Sequence, residues 1–273
     1  MGRFQNVPVL ILAGGKGTRI SEETHSRPKP MIEIGELPIL LHLMRWYYSF
    51  GFSDFVICAG YRAWDIKKFF LDYEFRQNNI VIDHRNSLET QPLPLGRNTL
   101  QEKWRVRIID TGLASMTGCR VARGYDLVAH EKFEHFALTY GDGLSSVDLA
   151  AEFAFHCEHK KVGTVLGVHP MARFGELDIS ENFEVKQFLE KPQSRQGLIN
   201  GGFFFFKREF RNYLSDHEDC ILERAPLAGL AADREMMVFR HEGFWQPMDT
   251  LRDKTQLQDL WASGHAPWLP VPK

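Results

Sequence analysis

No apolar run among these 273 residues approaches the roughly 18 that a membrane span needs. The first six residues, Met1 to Asn6, are polar and do not lead into a signal-like core with a small-residue cleavage site. Cysteine is scarce: Cys58, Cys119, Cys157 and Cys220 show no CxxC spacing. That speaks against a disulfide framework and a structural zinc site and fits a reducing cytoplasm. An excess of either charge is also missing. Lys+Arg number 33 and Asp+Glu 35, a net charge of −2, so neither nucleic acid nor a membrane surface is a partner reached by bulk electrostatics. Repeats, charge runs and low-complexity segments are absent. What is there is ordinary for a globular protein, 44% hydrophobic and 25% charged, and long enough for one large domain or two small ones.

Within this plain composition one stretch stands out: Leu12-Ala13-Gly14-Gly15-Lys16-Gly17-Thr18-Arg19. The apolar run 9–13 reads as a short buried strand. Three glycines in four positions follow, letting the backbone turn and its N–H groups approach a ligand unobstructed. Such N–H groups suit a polyphosphate, and Lys16 and Arg19 add positive charge. A plain glycine turn is the alternative, because neither the dinucleotide fingerprint nor the GxxxxGK[ST] spacing fits. The following polar stretch ends in Arg27-Pro28-Lys29-Pro30. Its two prolines exclude a helix and predict an extended course that holds Lys29 stiffly near the glycines.

Helix patterns at 38–50 and 63–75 alternate with strand patterns at 55–59 and 80–83, which implies a parallel, doubly wound sheet. Residues 86–103 are polar and rich in Pro and Gly, a long excursion of the kind that is functional or mobile. A strand at 104–109 and a helix at 117–127, capped near Ser115 or Thr117, come next. A buried strand at 136–140 ends in Gly141-Asp142-Gly143. A carboxylate at the carboxyl end of such a strand lies where open α/β sheets bind ligands, although Asp-Gly is also the sequence of an ordinary turn. A helix at 147–159, a strand at 163–168 and an antiparallel ribbon from 176–179 and 183–188 follow. The run Phe203 to Phe206 suits a strand buried on both faces. Short helices at 209–214 and 221–231 and a strand at 236–239 lead to Asp249. Thr250 reads as the cap of a helix to about Trp261. The proline-bearing tail after Gly264 is expected to wrap the surface.

Taken together, the glycine stretch, Pro28-Lys29-Pro30, Gly141-Asp142-Gly143, Glu190-Lys191-Pro192 and Asn200-Gly201-Gly202 resemble the sugar-1-phosphate nucleotidyltransferases. Ser115 to Gly118, Arg173 to Gly175 and Gly243 to Lys254 resemble their glucose-1-phosphate cytidylyltransferase branch. The resemblance spans nearly the whole chain. It departs at Lys16, where leucine is usual, at Cys119, where glycine is usual, in the 86–104 loop and at 222–227.

The resemblance implies one domain over 1–273: a nucleotide-binding part at about 7–145, a sugar-phosphate part at about 146–250, and a C-terminal helix and tail. The implied fold is a Rossmann-like, doubly wound mixed sheet, mainly parallel, with a small antiparallel ribbon. The implied reaction moves CMP from CTP to glucose 1-phosphate, giving CDP-glucose and pyrophosphate for polysaccharide or deoxysugar synthesis. Another nucleotide such as dTTP or UTP, another phosphate acceptor, or a non-catalytic nucleotide-sugar-binding role are the alternatives. By the same resemblance Leu12, Ala13, Gly14, Gly15, Lys16, Gly17, Thr18, Arg19, Ser115, Arg120 and Gly141 line the nucleotide. Lys29, Glu190, Lys191, Asn200 and Gly201 meet the sugar phosphate, and Asp142 and Asp249 share Mg²⁺. Arg19, Lys29, Asp142 and Asp249 form the catalytic set. A cytoplasmic homo-oligomer is the implied state.

Overall fold

The computed structural model describes residues 4, 6–83, 89–93, 102–170, 176–180, 182, 184–189 and 197–269. Seven strands make the central sheet: β1 (Val9–Ala13), β2 (Asp54–Ala59), β3 (Arg105–Asp110), β4 (His135–Tyr140), β5 (Gly163–Val168), β6 (Ile199–Lys207) and β7 (Met236–His241). Their spatial order is β7-β5-β6-β4-β1-β2-β3. Every pairing is parallel except those of β6, which runs antiparallel to both β4 and β5. Helices α1 (Ile39–Ser49), α2 (Ala63–Leu71), α3 (Thr117–Val128) and α4 (Leu149–His159) connect successive strands up to β5, and α5 (Leu251–Ala262) comes last. The sheet is mainly parallel, as the alternating patterns imply, and mixed, as the resemblance implies.

Alternate residues of β1 feed two cores. Val9, Ile11 and Ala13 pack with α1, α4 and Leu257 of α5 on one face. Leu10 and Leu12 pack with Val121, Ala122 and Tyr125 of α3 on the other. The four phenylalanines of β6 divide the same way, Phe203 and Phe205 against Phe204 and Phe206, each at most 1% exposed. Burial of both faces explains why these strands show no polar alternation.

Several expectations are corrected. The 80–83 strand lies outside the central sheet: Asn79–Asp83 pairs with Glu89–Leu93 in a separate antiparallel ribbon, and its consecutive Ile80, Val81 and Ile82 are all exposed. The third parallel strand is β3. The 63–75 helix breaks at Asp72 and resumes at Tyr73–Gln77. Pro28 is extended, yet Lys29–Met31 forms a 3₁₀ turn, because Pro30 near a helix start has no needed N–H to lose. The cap position of α3 is Met116, not Ser115 or Thr117. Both hydroxyls are engaged elsewhere, and the N–H groups of Gly118 and Cys119 donate to the Cys220 carbonyl instead. Residues 208–213 form a 3₁₀ turn, and the following helix starts only at Ala225, with Pro226 in its first turn. The tail does not stay on the surface: Trp268 is 1% exposed, its indole N–H donating to His42 Nδ1 at 3.3 Å.

Candidate active site

The site lies at the carboxyl ends of β1 and β4, adjacent strands whose onward connections run in opposite directions across the sheet. Such a divide leaves a crevice in an open α/β sheet. Leu12 and Ala13 are buried, so they present only main chain to the crevice. Leu12 offers its carbonyl to the N–H of Gly141 at 2.9 Å, and a Cβ on Gly141 would stand 2.8 Å from that oxygen. Gly17 is left-handed at φ +64°. Its missing side chain makes room for Thr24 and for the Cβ of Lys29, 3.1 Å from where its own would be. The glycine loop and the proline-flanked lysine are therefore in contact.

Beneath the loop lies Arg120, on α3. A Cβ on Gly14 would fall 2.2 Å from its guanidinium. That guanidinium is tied to Thr111 Oγ1 at 2.6 Å and to the carbonyls of Gly112 at 2.8 Å and Ala59 at 3.3 Å. It is a buried, fixed cation, whose pKa burial lowers from the usual arginine value. Ser115 is also buried; it donates to the Thr111 carbonyl at 2.5 Å and accepts from Arg123 at 2.9 Å. Gly15, Lys16, Thr18 and Arg19 are exposed on the outer side of the loop.

Asp142 and Asp249 meet because of a two-stranded ribbon. Gly143–Ser145 pairs antiparallel with Trp245–Pro247, and Gly143 opposes Pro247. The Asp142 carbonyl then accepts the N–H of Met248 at 2.9 Å. Lys29 bridges the two carboxylates, its Nζ 2.5 Å from Asp142 Oδ2 and 2.7 Å from Asp249 Oδ1. Arg19 reaches Asp249 Oδ2 at 2.7 Å. Burial works against the charge on Lys29, but Asp142 and Asp249 outweigh it and raise its pKa. Burial likewise opposes ionisation of Asp249, and Lys29 and Arg19 outweigh it and hold its pKa below the usual aspartate value. Lys29 is 9% exposed. It is a positioned group rather than a solvated loop lysine.

Asn200 is exposed at the start of β6, and its Oδ1 accepts the N–H of Gly202 at 2.8 Å. Gly201 is buried: a Cβ there would meet Val168 at 3.0 Å and the Leu166 carbonyl at 3.1 Å, and its own carbonyl accepts the Trp245 indole at 2.7 Å. Glu190, Lys191 and Arg173 to Gly175 lie outside the described residues. So does most of the 86–103 excursion. Sequence reasoning missed Asp253, which accepts the N–H groups of Asp249 at 2.9 Å and Thr250 at 2.8 Å. Its spacing of three from the capping threonine is the readable signal of a capping box.

The nucleotidyl transferase family profile matches residues 8–253. Glucose-1-phosphate cytidylyltransferase of Salmonella typhi is 44% identical over 260 residues, 95% of this chain and 97% of that protein. The chain belongs to the nucleotidyl transferase family. The enzyme of the same description from Salmonella typhimurium also aligns at 44% identity over the same shares. Among solved structures, HddC from Yersinia pseudotuberculosis complexed with GMP-PN aligns with TM-score 0.63 at 20% identity, covering 93% of this chain and 99% of that one. That likeness bears on the fold. In this nucleotidyl transferase the match runs through the glycine loop, Lys29, Asp142 and Asp249, all within the aligned span.

Proposed function

We propose that the protein transfers CMP from CTP to glucose 1-phosphate, releasing pyrophosphate and forming CDP-glucose. The observation that carries this reading is Lys29 set between two carboxylates beside a bare glycine loop. The names of the Salmonella relatives supply the nucleotide and the sugar.

In the reaction a phosphate oxygen of the sugar phosphate forms a bond to the α-phosphorus of CTP, and the bond from that phosphorus to the pyrophosphate oxygen breaks. The chain has to bring two anions together and spread the charge of the transition state. Backbone N–H groups of Gly14, Gly15 and Gly17, with Leu12, Ala13, Lys16 and Thr18 alongside, hold the triphosphate on this reading. Arg19, always charged and forked, suits the departing pyrophosphate. Lys29 stays protonated and suits the α-phosphate and the incoming phosphate together. Ser115, Arg120 and Gly141 shape the nucleoside side. Asn200 and Gly201, with Glu190 and Lys191 by resemblance, serve the sugar phosphate.

Asp142 and Asp249 fit a divalent ion. Both carboxylates already converge on one cation, the Lys29 ammonium. Among the described residues no group of three or more His, Cys, Asp or Glu side chains gathers as a cage. Two carboxylates with phosphate oxygens and waters completing the shell is the preference of Mg²⁺. When bound, the ion would supply charge neutralisation at the reacting phosphates.

We read the protein as a cytoplasmic homo-oligomer. The scarcity of cysteine, with Cys58 and Cys119 buried as thiols, supports a reducing compartment. Trp64 and Leu71 line an open apolar hollow with Trp104, Val106 and Ile108 beside edge strand β3, which offers a face to a second copy.

Incubation with CTP, Mg²⁺ and glucose 1-phosphate is expected to release pyrophosphate, with dTTP, UTP and GTP competing weakly. Preference for another triphosphate would move the protein to a different branch of the family. No release with any hexose 1-phosphate would contradict the reading.

A further inference from the structure

Along one wall of the crevice a polar bridge reaches Asn200 through Thr117, Glu223 and Tyr140, three residues with no part in the roles above. Tyr140 ends β4, one residue before Gly141. Its ring lies against Gly202, where φ is +78° and a Cβ would stand 2.4 Å from the tyrosine Cδ2. The start of β6 is therefore shaped around this ring. The Tyr140 hydroxyl donates to the carboxylate of Glu223. It also receives Asn200 Nδ2 at 3.5 Å, at the outer limit of a hydrogen bond. The other oxygen of Glu223 accepts from Thr117 Oγ1 at 2.8 Å, and Thr117 accepts the N–H of Leu222 at 2.9 Å. Thr117, Glu223, Tyr140 and Asn200 thus form one chain from the start of α3, on the nucleoside side, to the sugar side.

Polarity along this chain is fixed by its carboxylate. A carboxylate accepts the hydrogen bond from the tyrosine O–H, which leaves the lone pairs of the phenolic oxygen toward Asn200. Burial, then the charge of Glu223, raise the Tyr140 pKa, which keeps that proton in place. Asn200 is then oriented at both ends, Nδ2 toward Tyr140 and Oδ1 toward the N–H of Gly202. One N–H and one oxygen lone pair remain for a ligand on this exposed side chain. A donor beside an acceptor suits two neighbouring hydroxyls, since each hydroxyl can give or take a hydrogen bond.

We propose that Glu223, acting through the Tyr140 hydroxyl, is a positioning residue that orients Asn200 to read a pair of adjacent hydroxyls on the acceptor sugar phosphate, and so sets discrimination between hexose epimers. The proposal rests on the function given above.

Steady-state kinetics on the full chain test it, with glucose 1-phosphate and its galacto and manno epimers as acceptors. Y140F and E223A are each expected to raise KM for glucose 1-phosphate about fivefold, the equivalent of the about 1 kcal/mol of one hydrogen bond. KM for CTP and kcat should stay within about twofold. Discrimination against the epimers should fall by a similar factor. E223Q keeps an acceptor oxygen and should recover most of the loss. The double variant should be no worse than either single one, because both interrupt the same chain. A parallel rise in both KM values, or additive losses, would show general structural support and overturn the proposal. So would an unchanged acceptor KM in Y140F, which keeps the ring on Gly202 and tests the hydroxyl even where E223A fails to fold. Wild-type protein that releases no pyrophosphate from any sugar phosphate would overturn the function itself, and the proposal with it.

Discussion

Lys29 is where charge, burial and backbone stiffness meet. With one ammonium between two carboxylates, its removal leaves two negative groups facing each other in a partly closed crevice. Lys29→Met is expected to lower kcat by about 10²- to 10³-fold, the scale of losing one electrostatic contact to the reacting phosphates. Single-turnover measurements check this; a kcat within a few-fold of wild type would remove Lys29 from the chemistry. The glycines separate space for the fold from space for a ligand. A Cβ on Gly14 collides with a guanidinium that several acceptors hold in place, so Gly14→Ala should cost about 1–3 kcal/mol of stability and also weaken CTP binding. Nothing lies within 4 Å of a Cβ on Gly15, and its φ is not positive. Gly15→Ala should therefore melt like the wild type while raising KM for CTP. Thermal melts paired with CTP titrations distinguish the two, and an unchanged KM in Gly15→Ala would show that no phosphate lies over that position.

Helix α5 is the element that sets the geometry of Asp249. Its capping box joins Thr250 and Asp253, and the same Asp253 carboxylate holds the Asp249 N–H. Farther along, Lys254 pairs with Glu23 at 2.5 Å, and Gln258 accepts the N–H of Gly35 at 2.9 Å. One helix thus anchors Asp249 and both flanks of the Lys29 segment. Asp253→Ala should cost about 1 kcal/mol of stability as a lost cap, and it should also raise the Mg²⁺ concentration for half-maximal turnover. An unaltered Mg²⁺ dependence would limit Asp253 to the helix. Helix α4 carries a different liability. Glu152, in its first turn, is fully buried, and among the described residues neither carboxylate oxygen has a hydrogen-bond partner. Burial pushes its carboxyl up from 4.5 to about 8. The folded chain keeps a proton that the unfolded chain gives up, so this group's contribution to stability declines as pH rises from 4.5 toward 8. Glu152→Gln should gain stability over wild type in urea melts at about pH 8, with the difference shrinking toward about pH 5. A gap independent of pH would contradict it.

Across the whole molecule, what could be read from the sequence was what the backbone decides locally. Glycines after an apolar run, prolines around Lys29, Asp-Gly at a strand end and Thr250 before a helix each have a local physical cause, and the structure puts each near the crevice. Long-range pairing was not legible. The register of Gly143 opposite Pro247 brings the two aspartates together, and no periodicity announces it; the expectation that they meet came from the resemblance. Glu223 sits in an irregular segment with no local signature, and Tyr140 reads as an ordinary strand residue. Trp268 in the tail and the Asn79–Asp83 strand were misplaced for one reason: burial depends on which distant surface is vacant, not on the residue's neighbours in sequence. On the reading proposed above, these separated segments form one site in which Asp142 and Asp249 hold a shared metal ion. Pyrophosphate release from CTP and glucose 1-phosphate, titrated with Mg²⁺ in Asp142→Asn and in Asp249→Asn, tests it most directly. Each variant should lose about 10²-fold or more in turnover and need more Mg²⁺ to recover any of it. Near-normal turnover in either variant, at the wild-type Mg²⁺ requirement, would show that the two carboxylates do not share an ion.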